Sequence, residues 1–357
     1  MKSITSIILF ILYYNSLLAQ DSSKVNYDKV IGYCLDANVK DALPILQTGD
    51  QLLTAKSKKF KLNFLQRFGG EDDQSDYLLL KQSPINDLLK IYRDYWRISL
   101  LNPLNNYDTL IVSRLFDFFS DKNIKKDNIS FQTKEDSIAK ALPRYVCEQG
   151  LQTTGYANTG KLRDLLVWKN QLDTTYHFMI RNEQIDSRVI MMDNFITLGW
   201  QEYATLGLNY PGGWATSEAL YCVKTAYDIN SESFLVGYLA HEGRHFSDYK
   251  IFPKLSPADL EYRGKLTELS IANVTLHNAI SFFINNSNLK SDNPHAIANY
   301  YVIQNLSRRL FKSEFEGNIE KWKTISVAEI NKVAYRLFKQ NSRKLKRKGR
   351  KSIFSLI

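Results

Sequence analysis

A predominantly helical α+β fold with one small mixed sheet follows from three features of the sequence. Apolar residues recur at threes and fours from Tyr27 to about Phe119. β-branched and aromatic runs then crowd into the stretch from about Asp173 to Tyr227. From Ser231 the helical spacing returns and holds through Phe338. The 357 residues suffice for one large domain or two ordinary ones, and a 44% hydrophobic content can build a substantial core.

Residues 1–19 read as a signal peptide: Lys2 is positive, Ile4 to Leu18 is mostly apolar, and Ala19 precedes the polar "QDSSK". The alternative is a membrane anchor, which Tyr13, Tyr14, Asn15 and Ser16 weaken. No later stretch is apolar enough to span a bilayer. The expectation is therefore an exported protein, periplasmic or secreted. Cys34, Cys147 and Cys222 are far apart and form no CxxC pair, which argues against a cysteine zinc knuckle or a redox motif. Buried free thiols are expected, with one disulfide as the alternative.

Residues 20–150 form an expected N-terminal helical region. In "INDLLKIYRDYWRISLL" the apolar residues Leu88, Leu89, Tyr92, Tyr95 and Trp96 fall on one helical face. The polar "SDKNIKKDNISFQTKEDS", 120–137, shows no apolar period and reads as a linker or exposed loop. "TTYHFMI", "SRVIMMD", "FITLGW" and, after the turn signal "YPGGW", "ATSEALYCVKTAY" are the expected strands. His177, within one of them, reads as structural.

The net charge of +10 is a property of the chain's end, since nine basic residues and no acid lie between Arg336 and Lys351. Residues 336–357 are accordingly expected to be a solvated, partly disordered basic tail, with weak attraction to anionic envelope surfaces as its functional alternative. No nucleic-acid motif occurs, and export argues against a nucleic-acid partner. There is no GxSxG, no cysteine in a catalytic context and no phosphate-cradling glycine loop. The sequence is silent on oligomeric state.

The chemistry concentrates in "GYLAHEGRHFSDYK", 237–250. A helix starting near Ser231 and passing through Phe234, Leu235, Tyr238 and Leu239 puts His241 and His245 one turn apart on one face. Two imidazoles so placed reach one ion in a geometry zinc accepts. Glu242, rotated about the axis, takes the general-base position of the HExxH pattern. A third ligand is needed. Asp248 and Ile251 stand where an HExxHxxGxxH site would require glycine and histidine.

Downstream, Ser256 as N-cap, Pro257 at the first helical position and Asp259 three residues on make a strong helix start. Glu261 and Glu268 then lie seven apart on one side of that helix, with Gly264 permitting close packing. If the first helix ends near Lys250, it descends about 7.5 Å past His245, and the second climbs about 6 Å by Glu261, whereas Glu268 stands about 10 Å higher. Glu261 is the favoured third ligand. Glu268 stays open as the alternative ligand or as a group orienting a histidine, and Asp248 as a hydrogen-bond partner of a ligand histidine. Candidates for stabilising an oxyanion are His295, with His277, Tyr300 and Tyr301 as rivals.

On His241-Glu242-Gly243-Arg244-His245 followed by Glu261, the chain resembles a zincin-type metallopeptidase and is most similar to the glutamate-liganded branch, the gluzincins. The resemblance covers 174–275 and implies a sheet before the active-site helix, a helical subdomain after it, and zinc-dependent hydrolysis of peptide or protein substrates. It makes 151–335 a zincin-like domain. It further implies that an edge strand, here "GGWATSEALYCV" from Gly212, borders the cleft. No NExxSD-like or GxMEN-like companion motif narrows the family. The reading from a different class is a non-catalytic helical envelope-associated protein, with a structural or vestigial zinc and a basic tail that makes the contact.

Overall fold

A computed structural model describes residues 27–47, 54–74, 84–120, 129–181, 183–216, 218–290 and 293–349. The apolar segment 1–19 and the last residues of the basic tail lie outside these. The described chain is predominantly helical with a small mixed sheet, as the hydrophobic periods predict. No helix among the described residues is long and apolar enough to cross a membrane. Its contacts divide into two compact units. Among the described residues, one takes those up to Asn170 together with Asp193–Pro211, and the other takes Gln171–Met192 and those from Gly212 onward.

The N-terminal unit holds α1 (Tyr27–Leu35), α2 (Val39–Gln47), α3 (Ala55–Phe68), α4 (Asn86–Leu101), α5 (Asp108–Phe119) and α6 (Phe131–Glu148). On α4, Leu88, Leu89, Tyr92, Tyr95 and Trp96 all face the core. The polar stretch 120–137 departs from its expected loop. Ser130 caps α6 by accepting the Thr133 N–H at 3.1 Å, and the helix buries Ile138, Leu142 and Val146. Its first turns are solvent-facing, which hides the period. Residues 121–128 lie outside the described chain. Short strands β1 (Gln152–Thr153), β2 (Ala157–Thr159) and β3 (Leu162–Asp164) follow.

Strands β4 (Leu166–Ile180) and β5 (Glu183–Leu198) contribute residues to both units. After α7 (Trp200–Ala204) come β6 (Gly213–Ala215) and β7 (Leu220–Val223), and the five-stranded order is β1-β4-β5-β7-β6. β7 pairs in parallel with β5 and antiparallel with β6. The expected single strand from Gly212 is thus broken into two, because Thr216 bonds Ala219 across a tight turn. Cys34, Cys147 and Cys222 are free thiols, the first and last buried.

Helical structure resumes as π-helical turns at Ser233–Ala240, which run directly into α8 (His241–Ile251). Then come α9 (Pro257–Ile271), α10 (Leu276–Asn285), α11 (Pro294–Leu310), α12 (Ile319–Lys323) and α13 (Val327–Lys348). Leu266, Leu269, Ile280, Val302, Leu306, Trp322 and Ile330 form their common core. The basic stretch corrects its expected disorder as far as Lys348: α13 runs through it, burying Leu337, Asn341 and Leu345 while its charges face outward.

Candidate metal centre

α8 begins at His241, so the two motif histidines occupy its first two turns, with ring centroids 4.7 Å apart and planes at 86°. α9 starts where Ser256 accepts the Asp259 N–H at 3.1 Å and Pro257 needs no donor of its own. His245 meets Glu261, and His241, a turn earlier, meets Glu268, two turns later on α9, so the helices run antiparallel. Gly264 lets them touch: a Cβ there would lie 2.6 Å from His241 Nε2. Gly243 has the same role toward the sheet, where a Cβ would come 2.5 Å from Phe178 Cζ.

His241, His245 and Glu261 form a buried group able to hold a metal ion, one ligand atom from each lying within 4.8 Å of the others. His245 Nε2 is 3.2 Å from Glu261 Oε1, and His241 Nε2 is 3.5 Å from Oε2. Glu268 approaches the other nitrogen of His241, Nδ1, at 3.4 Å. Of the two glutamates, Glu261 is therefore the one that meets both imidazoles. Glu268 occupies the orienting position behind the first.

His241 Nε2, His245 Nδ1 and both oxygens of Glu242 have no hydrogen-bond partner among the described residues, whereas Glu261 Oε2 is met by His295 Nδ1 and Lys265 Nζ. An orphaned buried polar group costs about 1–3 kcal/mol, more if charged. The imidazole nitrogens of His241 and His245 that face Glu261, together with a Glu261 oxygen, are donors a divalent cation accepts, and sharing one would give the orphaned His241 Nε2 a partner. The residues present therefore fit a metal.

Burial, opposed by His241 and Lys265 and helped by Glu261, pushes the Glu242 carboxyl up to about 8. Burial likewise favours the neutral form of Glu261, but His295, Lys265 and the two motif histidines outweigh it and hold that carboxyl well below its usual range. His245 falls below the ordinary imidazole value through burial. At His241 burial also opposes the cation, yet the neighbouring carboxylates of Glu261 and Glu268 prevail and raise it to about 9.

Asp248 corrects one expectation. It touches neither motif histidine through a hydrogen bond and instead holds Arg263, at 2.6 and 2.9 Å, in a fully buried pair. A carboxylate aimed at a guanidinium fork on α9 is committed to joining the helices. Of the oxyanion candidates, His295 borders the cluster, its Nδ1 2.8 Å from Glu261 Oε2. Tyr300 stacks on Phe315 and Tyr301 packs on the helical core. His177 pairs with Asp186 on an exposed strand face, 2.8 Å apart.

Two neighbours escape sequence reading. Lys265, one turn after Glu261, brings Nζ to 3.4 Å from its Oε2 and is buried with it. The i,i+4 spacing is a signal for it, though a weak one, because such pairs are common on exposed faces. Arg244, inside the motif, donates to Glu183 at 3.1 and 2.5 Å, a partner 61 residues away that no local spacing indicates. No family model, curated protein or solved structure matches the chain.

Proposed function

We propose that this chain is a zinc-dependent peptidase in which His241, His245 and Glu261 hold the metal and Glu242 is the general base. The observation that carries the reading is the buried, partnerless Glu242 carboxylate, adjacent in sequence to a His-His-Glu group of metal-ligand spacing. Three such ligands leave one position of a tetrahedron for solvent or substrate. Zinc, when bound, supplies Lewis acidity toward a carbonyl oxygen and lowers the pKa of water.

The chain's own groups do the remainder. Glu242 takes the proton of the attacking water and passes it to the leaving amine nitrogen; with no hydrogen bond to give up, its carboxylate is free for both transfers. Glu268, against His241 Nδ1, fixes which ring nitrogen faces Glu261. His295 is partly exposed beside the cluster and offers a ring N–H to a developing oxyanion. The substrate class is peptide or protein. The apolar segment Ile4 to Leu18 supports an exported, periplasmic or secreted site of action, and no nucleic-acid partner is proposed.

The test combines zinc content with hydrolysis of a mixture of fluorescence-quenched peptides. The full chain should hold a single zinc that His241→Ala loses, and Glu242→Gln should keep the zinc while hydrolysis falls by about 10²–10⁴-fold. A Glu242→Gln protein that cleaves as fast as the parent would sink the proposal. Retained zinc with no cleavage of any peptide by the parent would point to the structural, non-catalytic alternative.

A further inference from the structure

A basic cavity of about 360 Å³ opens beside the metal-ligand helix. Five cations line it, Arg244 from α8, Arg263 from α9 and Lys339, Arg343 and Lys346 from α13, against one carboxylate, Glu183. The α13 cations are spaced by four and three, so they form one stripe of that helix. The Phe338 ring lies under both guanidiniums, 4.7 Å from Arg244 and 4.5 Å from Arg263.

The two arginines differ in what they have to spare. Arg263 is committed: it donates to Asp248 through two nitrogens and to Asn341 and Ser342 at 2.8 and 2.9 Å. Arg244 is buried to 2%, its terminal nitrogens rest on Glu183 with Asp248 farther off at 3.8 Å, and its Nε has no hydrogen-bond partner among the described residues. Glu183 is 42% exposed and held besides only by the Ser247 hydroxyl at 3.2 Å among the contacts of the described residues, so the carboxylate filling the Arg244 fork comes from the solvent side and can withdraw into water. With Asp248 matching Arg263 and Glu183 matching Arg244, the charges of Lys339, Arg343 and Lys346 remain. A single external carboxylate would leave most of that charge unmet, whereas a multivalent oxyanion meets the fork and the stripe together.

We propose that this cavity binds a phosphate-bearing ligand of at least two negative charges, whose phosphoryl oxygens displace Glu183 from Arg244 and meet Lys339, Arg343 and Lys346. The site stands independently of the metal. Such chemistry is offered by a soluble diphosphate or by a lipid headgroup, and two probes separate them: inorganic pyrophosphate, and phosphatidylcholine vesicles containing phosphatidic acid.

The experiment is calorimetric titration of the full chain with pyrophosphate, beside vesicle co-sedimentation. Reversing the stripe as Lys339→Glu, Arg343→Glu and Lys346→Glu should weaken binding by more than about tenfold. Reversing Lys344 and Arg347, equally exposed on the same helix but outside the cavity, should change it by less than about threefold. Glu183→Gln should tighten binding by about threefold or more, because it removes the negative charge that competes for the Arg244 fork. Pyrophosphate binding without vesicle binding assigns a soluble ligand, and vesicle binding that pyrophosphate displaces assigns a headgroup. The proposal is overturned if neither probe binds, if the two reversals weaken binding alike, or if Glu183→Gln fails to tighten it.

Discussion

Asp164 in the N-terminal unit and Glu242 in the motif-bearing unit are both carboxylates sealed from solvent, with opposite surroundings. Asp164 Oδ1 accepts the N–H groups of Leu165 and Trp200, each at 2.9 Å, while Oδ2 has no hydrogen-bond partner among the described residues. Gly199, at φ 90°, allows the close approach, since a Cβ there would stand 2.5 Å from both carboxylate oxygens. Burial raises Asp164 to about 6, with hydrogen bonds from Thr159, Trp200 and Leu165 restraining the rise. Glu242 accepts no hydrogen bond from the described residues and is pushed up to about 8. A carboxylate that is buried and supplied with donors is building a turn. One that is buried and left without them, next to metal-type ligands, is a candidate for chemistry.

Breaking the structural half of this comparison gives the larger effect. Because the folded-state pKa of Asp164 lies above its ordinary 3.8, the folded chain binds this proton more tightly than the unfolded chain does. That contribution to stability is complete below about pH 4 and disappears as the pH rises through about 6. Asp164→Asn keeps an acceptor for both amides but cannot titrate. Urea unfolding of parent and variant should show the parent gaining about 2 kcal/mol relative to the variant between about pH 7 and about pH 4. A stability difference that is flat across this range would mean that Asp164 is not a raised, buried acid.

The functional half yields a smaller, sharper change. Glu268→Gln removes the carboxylate behind His241 Nδ1 and should weaken zinc affinity by about tenfold, measured by competition with a chelator. Asp186→Asn, at the exposed His177 pair of similar composition, should leave that affinity unaltered. Equal losses in the two variants would show general electrostatics rather than ligand orientation.

The parts of this fold that were legible are those whose period survives on one face. α4 announces itself through Leu88, Leu89, Tyr92, Tyr95 and Trp96. The step from α8 to α9 is legible for another reason: a capped start at Ser256 and a fixed rise per residue bring Glu261 level with His245, and α8 ends at Ile251, one residue from the expected end. α6 and the basic half of α13 were obscured because exposed polar residues dilute their buried stripes, Ile138, Leu142 and Val146 in one and Leu337, Asn341 and Leu345 in the other. Asp248 stays open as a partner of a ligand histidine in the sequence, which shows its neighbours on α8 but not Arg263 opposite. Lys265 and the Arg244–Glu183 pair depend on packing between elements, which spacing does not encode.

The most direct measurement is anomalous scattering at the zinc edge from crystals of the full chain grown with zinc. A single peak within about 2.0–2.2 Å of an imidazole nitrogen from His241, one from His245 and a carboxylate oxygen of Glu261, with no fourth protein ligand, is the predicted result. A peak elsewhere, or a fourth side chain completing the tetrahedron, would contradict it.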